Sequence, residues 1–210
     1  AAMTRALPAT AVDPATHTPS RRRSTAVSLL TTVRPEQWTK NLFVFAALIF
    51  AKRLEDVHAV VLATETFVIF CALSSAVYIV NDISDRAADR AHPVKRLRPI
   101  AAGDLSPLTA GATGVLLGGG AVAAAWAITP ALALTAVAYL VLQVAYSLLL
   151  KHVVILDALA IASGFVLRAV AGGVAIAVPV SNWLLACTTL LALFLALAKR
   201  RHELTTLATG

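Results

Sequence analysis

Residues 81–89 read Asn81-Asp82-Ile83-Ser84-Asp85-Arg86-Ala87-Ala88-Asp89. Wound as a helix, Asp82, Asp85 and Asp89 stand at i, i+3 and i+7, within one narrow face. Carboxylates stacked in this way repel one another unless a cation sits between them. Magnesium prefers oxygen ligands, keeps several waters, and usually bridges one or two carboxylates to substrate phosphates. The spacing therefore predicts a Mg2+ site on Asp82, Asp85 and Asp89, with Asn81 beside it. The competing reading is a solvated helix end in which Asp85 with Arg86, and Asp89 with Arg90, merely balance charge. A basic loop beside the acidic face favours the metal.

That loop runs His92-Pro93-Val94-Lys95-Arg96-Leu97-Arg98-Pro99, with Gly103 following. Lys95, Arg96 and Arg98 next to three carboxylates suit a diphosphate held by metal on one side and by cationic forks on the other. Further polar residues fall at the ends of apolar runs on the same side. Lys40 and Asn41 precede the first run, Tyr146 and Lys151 close the fourth, and Lys199, Arg200 and Glu203 close the sixth. Arg168 stands apart, roughly mid-run, where an ionisable group is costly and is a functional candidate by default. Its structural alternative is pairing with a helix carbonyl or with Glu65. Asp157 reads as a helix cap.

The elements that must position these residues are membrane helices. Hydrophobic residues make up 59% of the 210-residue chain and charged residues only 14%, against roughly 45–50% and 25% in soluble domains; the mean hydropathy is +0.79. Six apolar runs, near 42–51, 59–80, 108–128, 131–150, 158–178 and 183–198, approach the roughly 20 residues a bilayer demands. The first is short and needs amphipathic flanks, which Trp38 and Lys40 supply. Residues 1–30, rich in Ala, Thr, Pro and Ser, read as a disordered tail ahead of a membrane domain over 31–210. The net charge of +7 lies in short segments between runs, which is the pattern of topology signals and not of a nucleic-acid surface. Arg21 to Arg23, residues 81–104, Lys151 and Lys199 to Arg201 alternate with loops poor in net positive charge. The positive-inside rule then puts both ends, and the acidic face, in the cytoplasm. Cys71 and Cys187 lie inside apolar runs and read as packing residues.

Asn81-Asp82-x-x-Asp85-x-x-x-Asp89, with Lys95 to Pro99 and Gly103, resembles the first aspartate signature of the UbiA-type intramembrane prenyltransferase superfamily. Tyr146 and Lys151 resemble its Tyr-and-Lys motif after the fourth helix. Arg34-Pro35-x-Gln37-Trp38-x-Lys40-Asn41, Ala76-Val77-Tyr78, Lys95 to Gly103, Arg168 to Ala175 and Lys199-Arg200-x-x-Glu203-Leu204 are similar to the branch that transfers phosphoribose to decaprenyl phosphate. The resemblance spans about residues 33–207. It implies an all-α transmembrane bundle, of whose usual eight or nine helices about six are present, so that the chain looks incomplete at its C-terminus. It also implies Mg2+-dependent transfer of 5-phosphoribose from phosphoribosyl diphosphate to a polyprenyl phosphate at the plasma membrane, for arabinan precursors of a cell wall. A homo-oligomer is compatible with the sequence.

Prenyl-transferring relatives carry a second acidic motif after the sixth helix, whereas this chain has the largely basic Lys199 to Glu203. Cations there suit a donor bearing a further phosphate. Two other readings compete: a prenyltransferase acting on an aromatic or tetrapyrrole acceptor, and a transporter with acidic residues along a cation path. A transporter should carry ionisable groups through the bilayer depth, but only Glu65 and Arg168 lie within runs.

Overall fold

The computed structural model describes residues 23–148 and 154–208, with side chains described for 23–147, 155–198 and 201. The described residues form helices and connecting turns: α1 Thr25–Val33, α2 Ala46–Phe50, α3 Val57–Ser84, α4 Arg86–Ala91, α5 Pro99–Ala102, α6 Pro107–Ile128, α7 Pro130–Leu148, α8 Val154–Ala175 and α9 Asn182–Ala208. A long 3-10 segment, Pro35–Phe45, runs into α2, and a short one, Lys95–Leu97, lies in the basic loop.

Polar residues set the helix ends. Asp56 caps α3 by accepting the Ala59 amide at 3.1 Å. Its carboxyl is held below the usual carboxylate range, chiefly by a hydrogen bond from Arg53. Ser106 caps α6 by accepting from the Thr109 amide at 3.0 Å, with Pro107 in the first turn. Thr129 ends α6 in an extended conformation and its hydroxyl accepts the Leu132 amide at 3.0 Å, so one residue turns the chain from α6 into α7. Gly103, at φ 87°, ends α5 in the left-handed region that a side chain would resist.

Four helices, Val57–Ser84, Pro107–Ile128, Pro130–Ser147 and Ile155–Ala175, are long and apolar enough to cross a membrane; Asn182–Ala198 is a shorter apolar stretch. Six hydrophobic rods were expected, and the difference lies in the first and last. The first is the 3-10 segment with α2. At about 2.0 Å per residue in 3-10 and 1.5 Å in α geometry, its 11 and 5 residues cover roughly 30 Å, the thickness of a hydrocarbon core. Sixteen residues thus do the work of twenty. The chain is a multi-pass membrane protein of all-α class.

Consecutive long helices pack pairwise, α3 on α6, α6 on α7, α7 on α8 and α8 on α9, while α3 also meets α7, α8 and the 3-10 segment. The main core joins Phe70, Leu73 and Val77 of α3 to Leu132, Ala136 and Tyr139 of α7. Outward faces are apolar and exposed, as at Val115, Leu116, Val141, Leu190 and Phe194, which suits lipid. The helix α1 begins inside the segment expected to be a tail. Ser24 caps it, and Ser28 and Thr32 are buried on the side facing the bundle. Small hydroxylated residues form this inward stripe, so apolar periodicity does not reveal it. Residues 1–22 lie outside the described residues.

The second half of the 3-10 segment buries residues three apart, Asn41 and Val44, and the step continues to Ala47 just into α2. That stripe lies directly on α8. A Cβ at Gly172 would overlap the carbonyl of Val44, and one at Gly173 would overlap the Val180 side chain. Gly172→Ala is therefore expected to destabilise the detergent-solubilised protein by about 1–3 kcal/mol, seen as a lower melting temperature. Gly119→Ala and Gly120→Ala, where a Cβ meets nothing within 4 Å, should leave melting unchanged or slightly raised.

Candidate active site

The helix α3 does not run straight into α4. Asp85 sits at the joint with φ −87° and ψ 2°, yet the i to i−4 bonds continue through it, Asp85 N to Asn81 O and Asp89 N to Asp85 O, both at 2.8 Å. The helical hydrogen-bond register thus persists across the joint. Within that register the acidic residues separate into two sets.

Asp82 and Asp89 form the first, two turns apart and 2% and 3% exposed. Arg98 Nη1 donates to Asp89 Oδ2 at 2.7 Å and lies 3.2 Å from Asp82 Oδ1. Arg34 Nη2 donates to the same Asp82 oxygen at 2.5 Å. Arg34 is the left-handed residue, φ 54°, between α1 and the 3-10 segment, and its guanidinium lies 5.0 Å from the centre of the Tyr78 ring. Two buried carboxylates and two half-buried guanidiniums thus form a neutral cluster tying α1, α3, α4 and the basic loop. Arg90 Nε adds a bond to Ala101 O at 3.0 Å.

Asn81 and Asp85 form the second set, one turn apart on a neighbouring face. Asn81 lines a cavity of about 550 Å3 enclosed by the 3-10 segment, α3, α7, α8 and α9; Asp85 is half-buried one turn beyond it. Three carboxylates sharing one ion were expected. Among the described residues no group of three or more His, Cys, Asp or Glu side chains is placed to hold a metal. The i, i+3, i+7 arithmetic holds for the helix, but the basic loop folds back onto two of the three acids.

The remaining candidates fall as follows. Lys40, Tyr146 and Arg168 line the cavity with Asn81. Asn41 is fully buried and turned away from a ligand role: its Nδ2 donates to Ser74 Oγ at 3.2 Å and its Oδ1 accepts from Arg168 Nε at 2.7 Å. Arg168 pairs with a helix carbonyl, Gly164 O at 2.9 Å, and not with Glu65, which is exposed. Asp157, expected as a cap, accepts the Tyr146 hydroxyl at 2.7 Å and so joins α7 to α8. Lys95 and Arg96 are exposed, and Arg98 is bound to the acids. Lys151 and the side chains of Lys199, Arg200 and Glu203 lie outside what the structure describes.

Tyr139 and Gln143, which also line the cavity, were not anticipated. The signal was present: Tyr139, Gln143 and Tyr146 recur at i, i+4 and i+7 on α7, a polar stripe along an otherwise apolar helix. Arg34 carried no positional signal, because its partner is 48 residues away.

The UbiA prenyltransferase family profile matches residues 41–203. The chain belongs to the UbiA prenyltransferase family. It is 43% identical over 176 residues to the decaprenyl-phosphate phosphoribosyltransferase of Mycobacterium tuberculosis, a match covering 82% of this chain and 58% of that protein. The enzyme of the same name from Corynebacterium glutamicum is 38% identical over 186 residues, covering 87% of this chain and 56% of the relative. The chain thus spans a little over half the length of these UbiA relatives. A UbiA homologue from Archaeoglobus fulgidus, solved bound to DMAPP and Mg2+, superposes with a TM-score of 0.66 at 20% identity, over 79% of this chain and 60% of that one. The fold is therefore the UbiA fold.

Removing Asp82 strands the Arg34 guanidinium and leaves Arg98 with Asp89 alone. Losing one partner of a buried pair costs about 3–5 kcal/mol, reduced here to roughly 2–4 because Arg34 and Arg98 are partly solvated. Asp82→Ala should accordingly lower the melting temperature of the detergent-solubilised protein markedly, which unfolding followed by tryptophan fluorescence measures.

Proposed function

We propose that this chain is the greater part of a transferase core that moves 5-phosphoribose from phosphoribosyl diphosphate to the phosphate of a polyprenyl phosphate, releasing diphosphate. The observation that carries this reading is the charge of the cavity. Lys40 and Arg168 line it, and among its described lining residues there is no carboxylate. Such a space suits anions, and it is rich in hydrogen-bond donors. The names of the curated relatives point to the same chemistry.

The reaction needs little from the protein beyond placement. A lipid phosphate is already an anionic nucleophile. Its oxygen bonds to C1 of the ribose as the C1–oxygen bond to diphosphate breaks, and the leaving group carries away the electron pair. Lys40, at the open end of the cavity, and Lys95 and Arg96 of the exposed loop supply cations for the phosphates. Lys199 and Arg200, one turn beyond the cavity-lining Leu195 and Ala196, stand in the sequence where further cations would serve. Apolar lining from Phe43, Ile161, Phe165 and Leu195 excludes water from the reacting centre.

The acidic joint fits magnesium in a particular way. This cation needs only one or two protein oxygens besides phosphate and water, and Asp85 with Asn81 offers them on one face. Asp82 and Asp89 are engaged with arginines, and we assign them to holding the joint and the basic loop beside that face. Bound Mg2+ supplies neutralisation of the charge that builds on departing diphosphate. We place the site at the cytoplasmic face of the plasma membrane, on the strength of the basic segments that alternate with loops poor in net positive charge.

The protein in nanodiscs, given radiolabelled phosphoribosyl diphosphate, polyprenyl phosphate and Mg2+, should form a lipid-soluble labelled product. Consumption of geranylgeranyl diphosphate with no use of the sugar donor would instead assign it to prenyl transfer. Asp85→Ala should reduce product formation at least about a hundredfold and weaken binding of Mg2+-pyrophosphate in parallel. Near-normal turnover in that variant would remove Asp85 from the metal site.

A further inference from the structure

Arg168 is 5% exposed, lies deep in the bundle, and lines the floor of the cavity. Arginine cannot shed its proton at accessible pH, so a full charge sits in a low-dielectric interior. Three of its five N–H groups are accounted for by protein: Nε by Asn41 Oδ1 at 2.7 Å, Nη1 by Gly164 O at 2.9 Å and Nη2 by the Tyr139 hydroxyl at 2.7 Å. The guanidinium also lies 4.8 Å from the Tyr139 ring centre and 5.4 Å from that of Phe165. Every one of these partners is uncharged. Arg34 and Arg98 pair with Asp82 and Asp89, and Arg53 pairs with Asp56. None reaches Arg168. A buried charge without an opposite one is costly, and here the space beside it is a cavity.

The surroundings fix this group for an anion. Asn41 Nδ2 donates to Ser74 Oγ and Cys71 Sγ, which commits the amide oxygen to Arg168 and holds the guanidinium plane. Tyr139 Oη accepts from Arg168 and from Gln143 Nε2, the latter at 3.2 Å. Both lone pairs are thereby used, and its own proton remains to be donated. The floor thus presents two N–H groups of Arg168 and the O–H of Tyr139, donors with no acceptor among them. Ser74, level with this floor, is seven residues before Asn81 on α3, or roughly 10 Å along the helix. That is a separate station from the acidic joint.

We propose that Arg168, held by Asn41 and Tyr139, seats a phosphate monoester dianion about 10 Å beneath the diphosphate end of the site. The proposal rests on the phosphoribosyl reading, whose two substrates each carry such a group: the 5-phosphate of the sugar donor and the phosphate of the lipid. A prenyl diphosphate has only one anionic end, and its chain would set hydrocarbon against the guanidinium. Arg168 is then the specificity-determining residue that turns a prenyl-binding fold to a phosphate monoester.

The test is binding to the protein in nanodiscs, with ribose 5-phosphate, a short-chain polyprenyl phosphate and Mg2+-pyrophosphate as separate probes. Arg168→Gln should weaken one of the two monoesters by roughly 10- to 100-fold, the range for losing charge-assisted hydrogen bonds, and pyrophosphate by less than about twofold. The monoester that loses affinity names the source. Asn41→Asp serves if Arg168→Gln does not fold, since it sets a carboxylate against the guanidinium at the same size; it should produce the same selective loss. Arg168→Lys should retain part of the affinity. Equal losses for pyrophosphate and the monoesters, or no loss for either monoester, would overturn the proposal. Failure of the phosphoribosyl reading itself is distinct, showing as a wild-type protein that binds neither monoester and transfers no phosphoribose.

Discussion

The close approach of the 3-10 segment to α8 governs the geometry of the site. Val44 meets Gly172 backbone to backbone, and one turn earlier on both rods Asn41 meets Arg168. The two contacts are in register because a three-residue step on one helix faces a four-residue step on the other. Glycine at 172 allows the approach; the approach lets a short amide side chain reach a guanidinium; and the amide fixes which way that guanidinium points. A larger residue at 172 would push the rods apart and leave the arginine to find another partner. The cavity, bounded by these same rods, inherits its width from that contact.

A second constraint is electrostatic and lies at the opposite end of the cavity. Asp82 and Asp89 with Arg34 and Arg98 form a set whose formal charges cancel. Arg98 at the end of the basic loop is thereby tied to the end of α3, while Lys95 and Arg96 stay exposed. Burial of Asp82 costs solvation, and two arginines from segments far apart in sequence offset it. Their effect is topological: they fix α1 and the loop to the helix that carries Asn81 and Asp85. The bundle thus keeps a neutral clamp and a reactive face on adjacent sides of one helix.

Much of this was legible from the residues. Apolar runs located α3, α6, α7 and α8, and prolines 107 and 130 marked helix starts, because a bilayer demands long uniform segments and proline tolerates only their first turns. The acidic face, the basic loop and the mid-run arginine were visible for the same reason: charge is conspicuous where hydrocarbon is the rule. Three features were hidden. The 3-10 geometry of 35–45 has no compositional mark and comes from packing against α3 and α8. The helix α1 turns small hydroxylated residues inward and has no apolar stripe to count. The division of the acids depends on Arg34 and Arg98, whose partners are set by tertiary folding and not by spacing along the chain. Periodicity reports which residues share a face but not what folds back to cover it.

The 3-10 segment also has a mechanical side. Its 11 residues rise about 2.0 Å each, where the same residues in α geometry would rise 1.5 Å, so rewinding would shorten the rod by roughly 5 Å. It would also turn the stripe of Asn41, Val44 and Ala47 off α8, since a repeat of three would become one of 3.6. The segment is in effect a stretched spring, clamped at one end by Arg34 and along its length by Gly172. With α2, its span matches a hydrocarbon core only while the three-residue repeat is kept, and the same repeat sets the aim of a single arginine.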